Sequence, residues 1–175
     1  MIWVNIIAIL ILFFSFIGGI KEGAVKRFSG LVEILIAIPI AGTTYHILTG
    51  ILSFLPGENW EGFLGFFITL AIINAIMHFV LWLPRKVMQK LWNKGFIFRI
   101  AGGLLQIYTT AIHLAVFTLG ILAYPIFGWL ERCVAGSSVL SGLVTNLGFI
   151  QSMLPKLFGN VIDSLVSLPI LFFFS

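Results

Sequence analysis

The chain has 175 residues, of which 60% are hydrophobic and only 9% are charged. A soluble domain carries roughly 25% charged residues, so this composition predicts a membrane protein and leaves no stretch for a separate soluble domain. The net charge of +4 comes from bases that flank apolar runs, which indicates orientation in a bilayer rather than nucleic-acid binding. The single cysteine, Cys133, excludes an internal disulfide. The N-terminal "MIWVN" lacks the basic region of a cleaved signal peptide, so the first apolar run is interpreted as an uncleaved span.

Four apolar runs are long enough to cross a bilayer as helices, which takes about 20 residues. They are continuous, whereas the strands of a membrane barrel alternate between polar and apolar residues. We therefore expect an all-α polytopic protein with a transmembrane domain over residues 1–126 and an outer-face segment over 127–175. The four predicted spans are Ile2–Ile20, Phe28–Leu55 (interrupted by Pro39), Phe63–Leu83 and Ile100–Ile126.

Basic residues are concentrated in the turn after the first span and in the loop after the third. The loop after the second span, "LPGENWEG", has two acids and no base. Because basic loops stay in the cytoplasm, this pattern predicts that both termini face outwards. The residues expected at the membrane surface are Lys21, Lys26, Arg27, Arg85, Lys86, Lys90, Lys94 and Arg99.

Two segments outside the spans have an amphipathic pattern. Residues 85–98 place apolar and basic side chains on opposite helical faces, which predicts a cytoplasmic interfacial helix that binds anionic lipid; docking to an acidic partner is the alternative. Ser138–Met153 repeats Leu and Val at helical spacing, which predicts an amphipathic helix on the outer face. The apolar tail at 156–175 contains Asp163 and Pro169, so we expect it to lie at the interface or to re-enter the membrane.

Five polar side chains fall within or at the ends of the predicted spans, where hydrocarbon makes them expensive. They form stripes with small residues at helical spacing, and such stripes either glue helices together or line a polar path through the membrane. An ionised glutamate there needs a cation, and Lys26 or Arg27 could reach it. The five residues are Glu33, Asn74, His78, Gln106 and His113.

Small residues at spacings of four mark a second kind of contact. Ser15, Gly19 and Gly23 form one stripe through the end of the first span, and Gly103 lies on the fourth. Small stripes let membrane helices approach closely, which favours contact with the second span or with another protomer. Alternatively, the glycines only cap the helix end.

No catalytic signature occurs in the chain. It contains no H-E-x-x-H, G-x-S-x-G or P-loop motif and no closely spaced set of Cys, His and Asp. "AGSSVLSG" is rich in Ser and Gly, but we expect it outside the bilayer. The sequence therefore predicts a protein that is not an enzyme and that uses no cofactor or metal.

The first hairpin resembles the colicin V production protein family in the run Gly19, Lys21, Gly23, Lys26 and Arg27 followed by "SGLVEIL". Two further matches are Arg99 with "AGGLL" and the later "SSVLSGLV". Together these matches cover roughly residues 1 to 155. The chain departs from the family pattern at Asn5, where an acid is usual, and at Phe98, where an Asp is usual.

This resemblance implies a bacterial inner-membrane protein of about four helices, linked to production or export of a peptide toxin and to envelope upkeep. It supplies no reaction. Two functions stay open: an accessory or assembly protein that oligomerises or docks with envelope or secretion proteins, and a small oligomeric channel or transporter with a polar intramembrane path.

Reporter fusions test the predicted orientation. Fusions after Trp60 and after Met153 should report the outer side, and a fusion after Asn93 should report the cytoplasm. Reversing the first basic turn with Lys21→Glu, Lys26→Glu and Arg27→Glu should scramble insertion of the first hairpin, because bases dominate that choice. An outward signal from the Asn93 fusion would contradict the orientation.

Overall fold

The computed structural model describes residues 2–53, 57–92 and 95–153. Across these ranges the chain is helical with no strand, which confirms the predicted all-α class. The predicted tail at 156–175 lies outside the described residues. In chain order the helices are α1 (Ile2–Glu22), α2 (Ala24–Ile51), α3 (Glu58–Val80), α4 (Trp82–Trp92), α5 (Phe96–Ala123), α6 (Gly128–Ala135), α7 (Ser138–Asn146) and α8 (Phe149–Met153).

Four of these helices, α1, α2, α3 and α5, are long and apolar enough to cross a membrane. The protein is therefore a multi-pass membrane protein, as its composition predicts. The predicted span boundaries shift by a few residues at most ends. Helix α1 does not end at Gly18 and Gly19 but continues to Glu22, and the chain turns at Gly23, whose φ of 82° suits a residue without a Cβ.

Helix α5 lies at the centre of the bundle, where it packs on α1 and α2, while α3 packs mainly on α2. The core between α2, α3 and α5 holds Ile38, Phe66 and Ile112, all completely buried. Helix α2 passes through Pro39 without a break. The hydroxyls of Thr43 and Thr44 in the next turn donate to the carbonyl of Ile40, at 2.9 and 2.7 Å.

The bundle has two chemically different ends. The end formed by the α1–α2 turn, α4 and the start of α5 carries Lys21, Lys26, Arg27, Arg85, Lys86 and Arg99, and it is called the basic end below. The opposite end carries α6, α7 and α8. There the Asn5 side-chain oxygen of α1 accepts hydrogen bonds from the Ser137 hydroxyl (2.5 Å) and from the Val139 N–H (3.3 Å), which fixes the start of α7 against α1.

The predicted outer helix over Ser138–Met153 is divided in the structure. It forms α7 and α8, separated by a turn at Leu147 and Gly148. The preceding helix α6 was not predicted from the sequence, since its eight residues are too few to show a clear period. Leu140 and Val144 of α7 are buried against the bundle, so the apolar face of this predicted helix contacts protein.

Helix α1 crosses α5 at very close range. A Cβ added to Gly19 would lie 2.5 Å from the Gly102 carbonyl oxygen and 2.8 Å from the Gly103 Cα. One turn earlier, the Ser15 hydroxyl lies 2.6 Å from the Thr110 hydroxyl. The glycine stripe therefore contacts α5, whereas the sequence predicted contact with the second span or with another protomer.

Substitutions at the adjacent residues Gly18 and Gly19 test the close α1–α5 crossing. Gly19→Ala should lower the Tm in detergent and the free energy of unfolding by about 1–3 kcal/mol, because the new methyl group overlaps the α5 backbone. Gly18→Ala is the matched control, since its Cβ would meet only the Arg27 side chain at 3.8 Å. Equal Tm values for the two variants would contradict a close α1–α5 contact.

Candidate functional site

Helix α4 brings a basic segment onto the side of the bundle. It begins at Trp82, directly after α3, and Pro84 in its first turn needs no intrahelical donor. The predicted interfacial segment at 85–98 differs from this observed range: the helix starts three residues earlier and ends at Trp92, while Phe96 already belongs to α5. Lys86 lies on the exposed face, 3.9 Å above the Trp82 ring.

Arg85 is not an exposed base like Lys86, and the structure corrects that part of the prediction. Its side chain turns into the bundle and is only 8% exposed, because it is bonded to the Glu33 carboxylate of α2. Its Nε donates to the Ser29 hydroxyl at 3.1 Å, and this hydroxyl donates to the Glu33 carboxylate at 3.2 Å. Three side chains from two helices thus share one closed set of hydrogen bonds.

His78 of α3 completes the set. Its Nδ1 lies 3.2 Å from a Glu33 oxygen, and its Nε2 lies 3.4 Å from Arg85 Nη1. Arg85 Nη2 also lies 3.3 Å from Nδ1, so both a carboxylate and a guanidinium contact this nitrogen. A ring protonated at Nδ1 donates to the carboxylate and accepts from Nη1 of the guanidinium at Nε2. The imidazole stays 57% exposed, whereas the Glu33 carboxylate is 6% exposed. We call Ser29, Glu33, His78 and Arg85 the charged cluster.

Burial explains why these groups pair. A carboxylate withdrawn from water is strongly destabilised unless a cation and hydrogen-bond donors replace its hydration. Burial also lowers the pKa of the Arg85 guanidinium, while the Glu22 carboxylate raises it. A guanidinium stays protonated in proteins, so Arg85 carries its charge to Glu33 at neutral pH.

Lys26 and Arg27 do not pair with Glu33, contrary to the sequence-based expectation. Both bind Glu22 at the end of α1, with nitrogen–oxygen distances of 2.9 and 3.1 Å. Both follow Gly23 within one helical turn, so they remain close to the α1–α2 turn. Glu33 lies about two turns deeper along α2 and meets the residues of α3 and α4 instead.

All five predicted polar residues line one cavity of about 200 Å³ in the basic half of the bundle. The cavity runs from the Glu22 carboxylate past the charged cluster to His113, whose Nδ1 lies 2.7 Å from the Thr109 carbonyl oxygen of its own helix. The lining comprises Glu22, Lys26, Arg27, Gly30, Glu33, Asn74, His78, Arg85, Gln106, Thr109 and His113. Residues from five helices, α1 to α5, therefore form one polar space.

The other predicted site residues lie elsewhere. Lys21 and Arg99 line a second cavity of about 480 Å³ at the basic end, which also reaches Glu22. Gly103 belongs to the α1–α5 crossing. Lys90 lies on α4, but neither its side chain nor Lys94 falls within the described part of the structure. Among the described residues no group of three His, Cys, Asp or Glu is placed to hold a metal ion.

The profile of the colicin V production protein family matches residues 4–148, which is most of the chain. The protein belongs to the colicin V production protein family. This confirms the resemblance inferred from the first hairpin, and the charged cluster and the polar cavity both fall inside the matched region. No curated protein and no solved structure matches the chain.

Two members of the charged cluster were not predicted from the sequence. Ser29 was not among the candidate residues, and Arg85 was predicted to lie at the membrane surface because it begins a basic amphipathic segment. The available signal was Glu33 itself, since an acid within a span requires a cation. Lys26 and Arg27 are the bases closest to Glu33 in the sequence, but Arg85 is the base that contacts it in the structure.

A double-mutant cycle tests the buried pair. Arg85→Met should lower stability by about 3–5 kcal/mol, because it leaves Glu33 buried without a cation. Adding Glu33→Met should recover most of that loss, because no charge then remains. Thermal unfolding in detergent measures both effects, with Lys86→Met as the exposed control. Strictly additive losses from the two substitutions would show that the side chains do not interact.

Proposed function

We propose that this protein is an inner-membrane accessory or assembly protein that supports production or export of colicin V and contributes to envelope homeostasis. Membership of the colicin V production protein family supports the role in colicin V production. The observation that carries the accessory assignment is the charged cluster. Its charges are paired with one another and hold α2, α3 and α4 together, which is the arrangement of a scaffold rather than of reacting groups.

In the proposed orientation the basic end faces the cytoplasm and α6, α7 and α8 lie on the outer side, following the preference of basic loops for the cytoplasm. Helix α1 presents a mostly exposed apolar surface that includes Ile6, Leu10 and Phe14. Lipid covers this surface in a monomer. It equally suits contact with a second copy or with another envelope or secretion protein, which are the partners we propose.

The polar cavity favours a second function, that of a small oligomeric channel or transporter. Glu33, Asn74, His78, Gln106 and His113 all line it, and they come from α2, α3 and α5. A water-lined path needs such converging polar groups. Beyond His113, however, the adjoining space is lined chiefly by apolar residues such as Phe67 and Phe117, which do not extend a hydrophilic route.

A toxin assay tests the accessory role. In bacteria that carry the colicin V genes but lack a member of this family, expression of the chain should restore toxin outside the cells, measured as the zone of growth inhibition. Arg85→Met should reduce the zone because the scaffold is weakened, while Lys86→Met should not. Wild-type chain that reaches the membrane but restores no toxin would contradict the proposal.

Liposome flux separates the two functions. For an accessory protein, purified chain in liposomes should produce no ion or proton flux under any gradient, and His113→Ala should change nothing. Flux that depends on His113, with His46→Ala as a control histidine on the far end of α2, would overturn the accessory role in favour of a channel or transporter.

A further inference from the structure

The polar cavity adjoins a second, apolar space. Asn74 and His113 line both the polar cavity and a groove of about 400 Å³. From these two residues the groove extends towards the opposite end of the bundle, where Phe67 and Phe117 line it. Two adjoining spaces thus lie along the bundle, polar at the basic end and apolar beyond His113.

The groove opens to lipid between α1, which packs mainly on α5, and α3, which packs mainly on α2. Ile11 of α1 forms one wall and Ala71 of α3 the other, while Ile34 of α2 and Val116 of α5 form the floor. Ile11 and Phe117 are 42% and 46% exposed, so the groove is open along its side. A molecule of the surrounding bilayer can enter it without crossing the protein.

The mouth of the polar cavity carries excess positive charge. Lys26 and Arg27 share one carboxylate, that of Glu22, and Lys21 and Arg99 line the neighbouring cavity beside the same carboxylate. In addition, Arg27 Nε is buried and finds no hydrogen-bond acceptor among the described residues. An anionic group at the mouth would balance the excess positive charge, whereas Arg85 is already held by Glu33.

We propose that these two adjoining spaces together bind one anionic phospholipid. Its phosphate lies at the basic mouth near Lys26 and Arg27, and one acyl chain passes Asn74 and lies in the groove between α1 and α3. The apolar tail gains little from leaving the surrounding lipid, since both environments are hydrocarbon. Selectivity among lipids therefore comes from the charge of the headgroup, and the groove contributes by accommodating the acyl chain.

The size of the groove fits a single acyl chain better than a helix of a second copy. A helix with side chains is about 10 Å wide and rises about 5.4 Å per turn, so one turn alone takes about 400 Å³. The groove holds no more than that, whereas a spanning helix needs several turns. A single acyl chain is narrow enough to lie along it.

Lipid retention tests the proposal. The purified protein should be exchanged into nanodiscs containing equal amounts of phosphatidylglycerol and phosphatidylcholine, then released into detergent and weighed by native mass spectrometry. We expect one retained phosphatidylglycerol per protomer. Ala71→Trp should reduce that retention at least several-fold by filling the groove. Ala75→Trp is the matched control, because it lies one turn further along α3, is also exposed and does not line the groove.

A second pair of variants tests the headgroup. Arg27→Gln should abolish the preference for phosphatidylglycerol over phosphatidylcholine, and Lys86→Gln, at a residue that lines neither the polar cavity nor the neighbouring cavity, should retain it. Equal retention in the two tryptophan variants, or an equal preference in the two glutamine variants, would overturn the site. Inorganic phosphate should not raise the Tm; a rise that matches phosphatidylglycerol and persists in Ala71→Trp would show that the mouth binds a free anion instead of lipid.

Discussion

A carboxylate placed within a membrane-spanning helix must find a cation inside the protein, and Glu33 imposes that requirement on the whole basic half of this bundle. Its carboxylate is only 6% exposed, so it has lost most of the hydration that stabilises its charge in water. The bond to Arg85 supplies the charge, and Ser29 and His78 supply the remaining hydrogen bonds. These contacts tie α3 and α4 to α2 at the basic end of the bundle.

Pairing with Arg85 also changes the role of α4. A basic amphipathic helix ordinarily lies on the membrane surface and is held by lipid charge. Here one of its bases is withdrawn into the protein, so α4 is anchored to the bundle while Lys86 stays exposed. The same withdrawal leaves a polar cavity behind the ion pair, into which Asn74, Gln106 and His113 project. Anchoring and cavity are two results of one contact.

The sequence predicts the fold class, the four spans and the five polar residues of the cavity, because these depend on hydropathy and on spacing along one helix. It does not predict which helices touch. Gly19 was expected to contact the second span or another protomer but contacts Gly102 and Gly103 of α5, and Glu33 was expected to pair with Lys26 or Arg27 but pairs with Arg85. Spacing identifies the face of a helix, whereas the partner of that face depends on packing between distant segments. The division between α7 and α8 was missed for a related reason, since the apolar period continues across Gly148.

The most direct measurement is the distance between the two buried charges in the unmodified protein. Solid-state NMR of the chain in lipid bilayers, with ¹⁵N in the arginine side chains and ¹³C in the glutamate carboxyl groups, reports this distance through their dipolar coupling. The account predicts a strong coupling between the Arg85 guanidinium and the Glu33 carboxylate, together with a separate coupling between Arg27 and Glu22. A Glu33 carboxylate that couples to Arg27, or to no arginine, would contradict it.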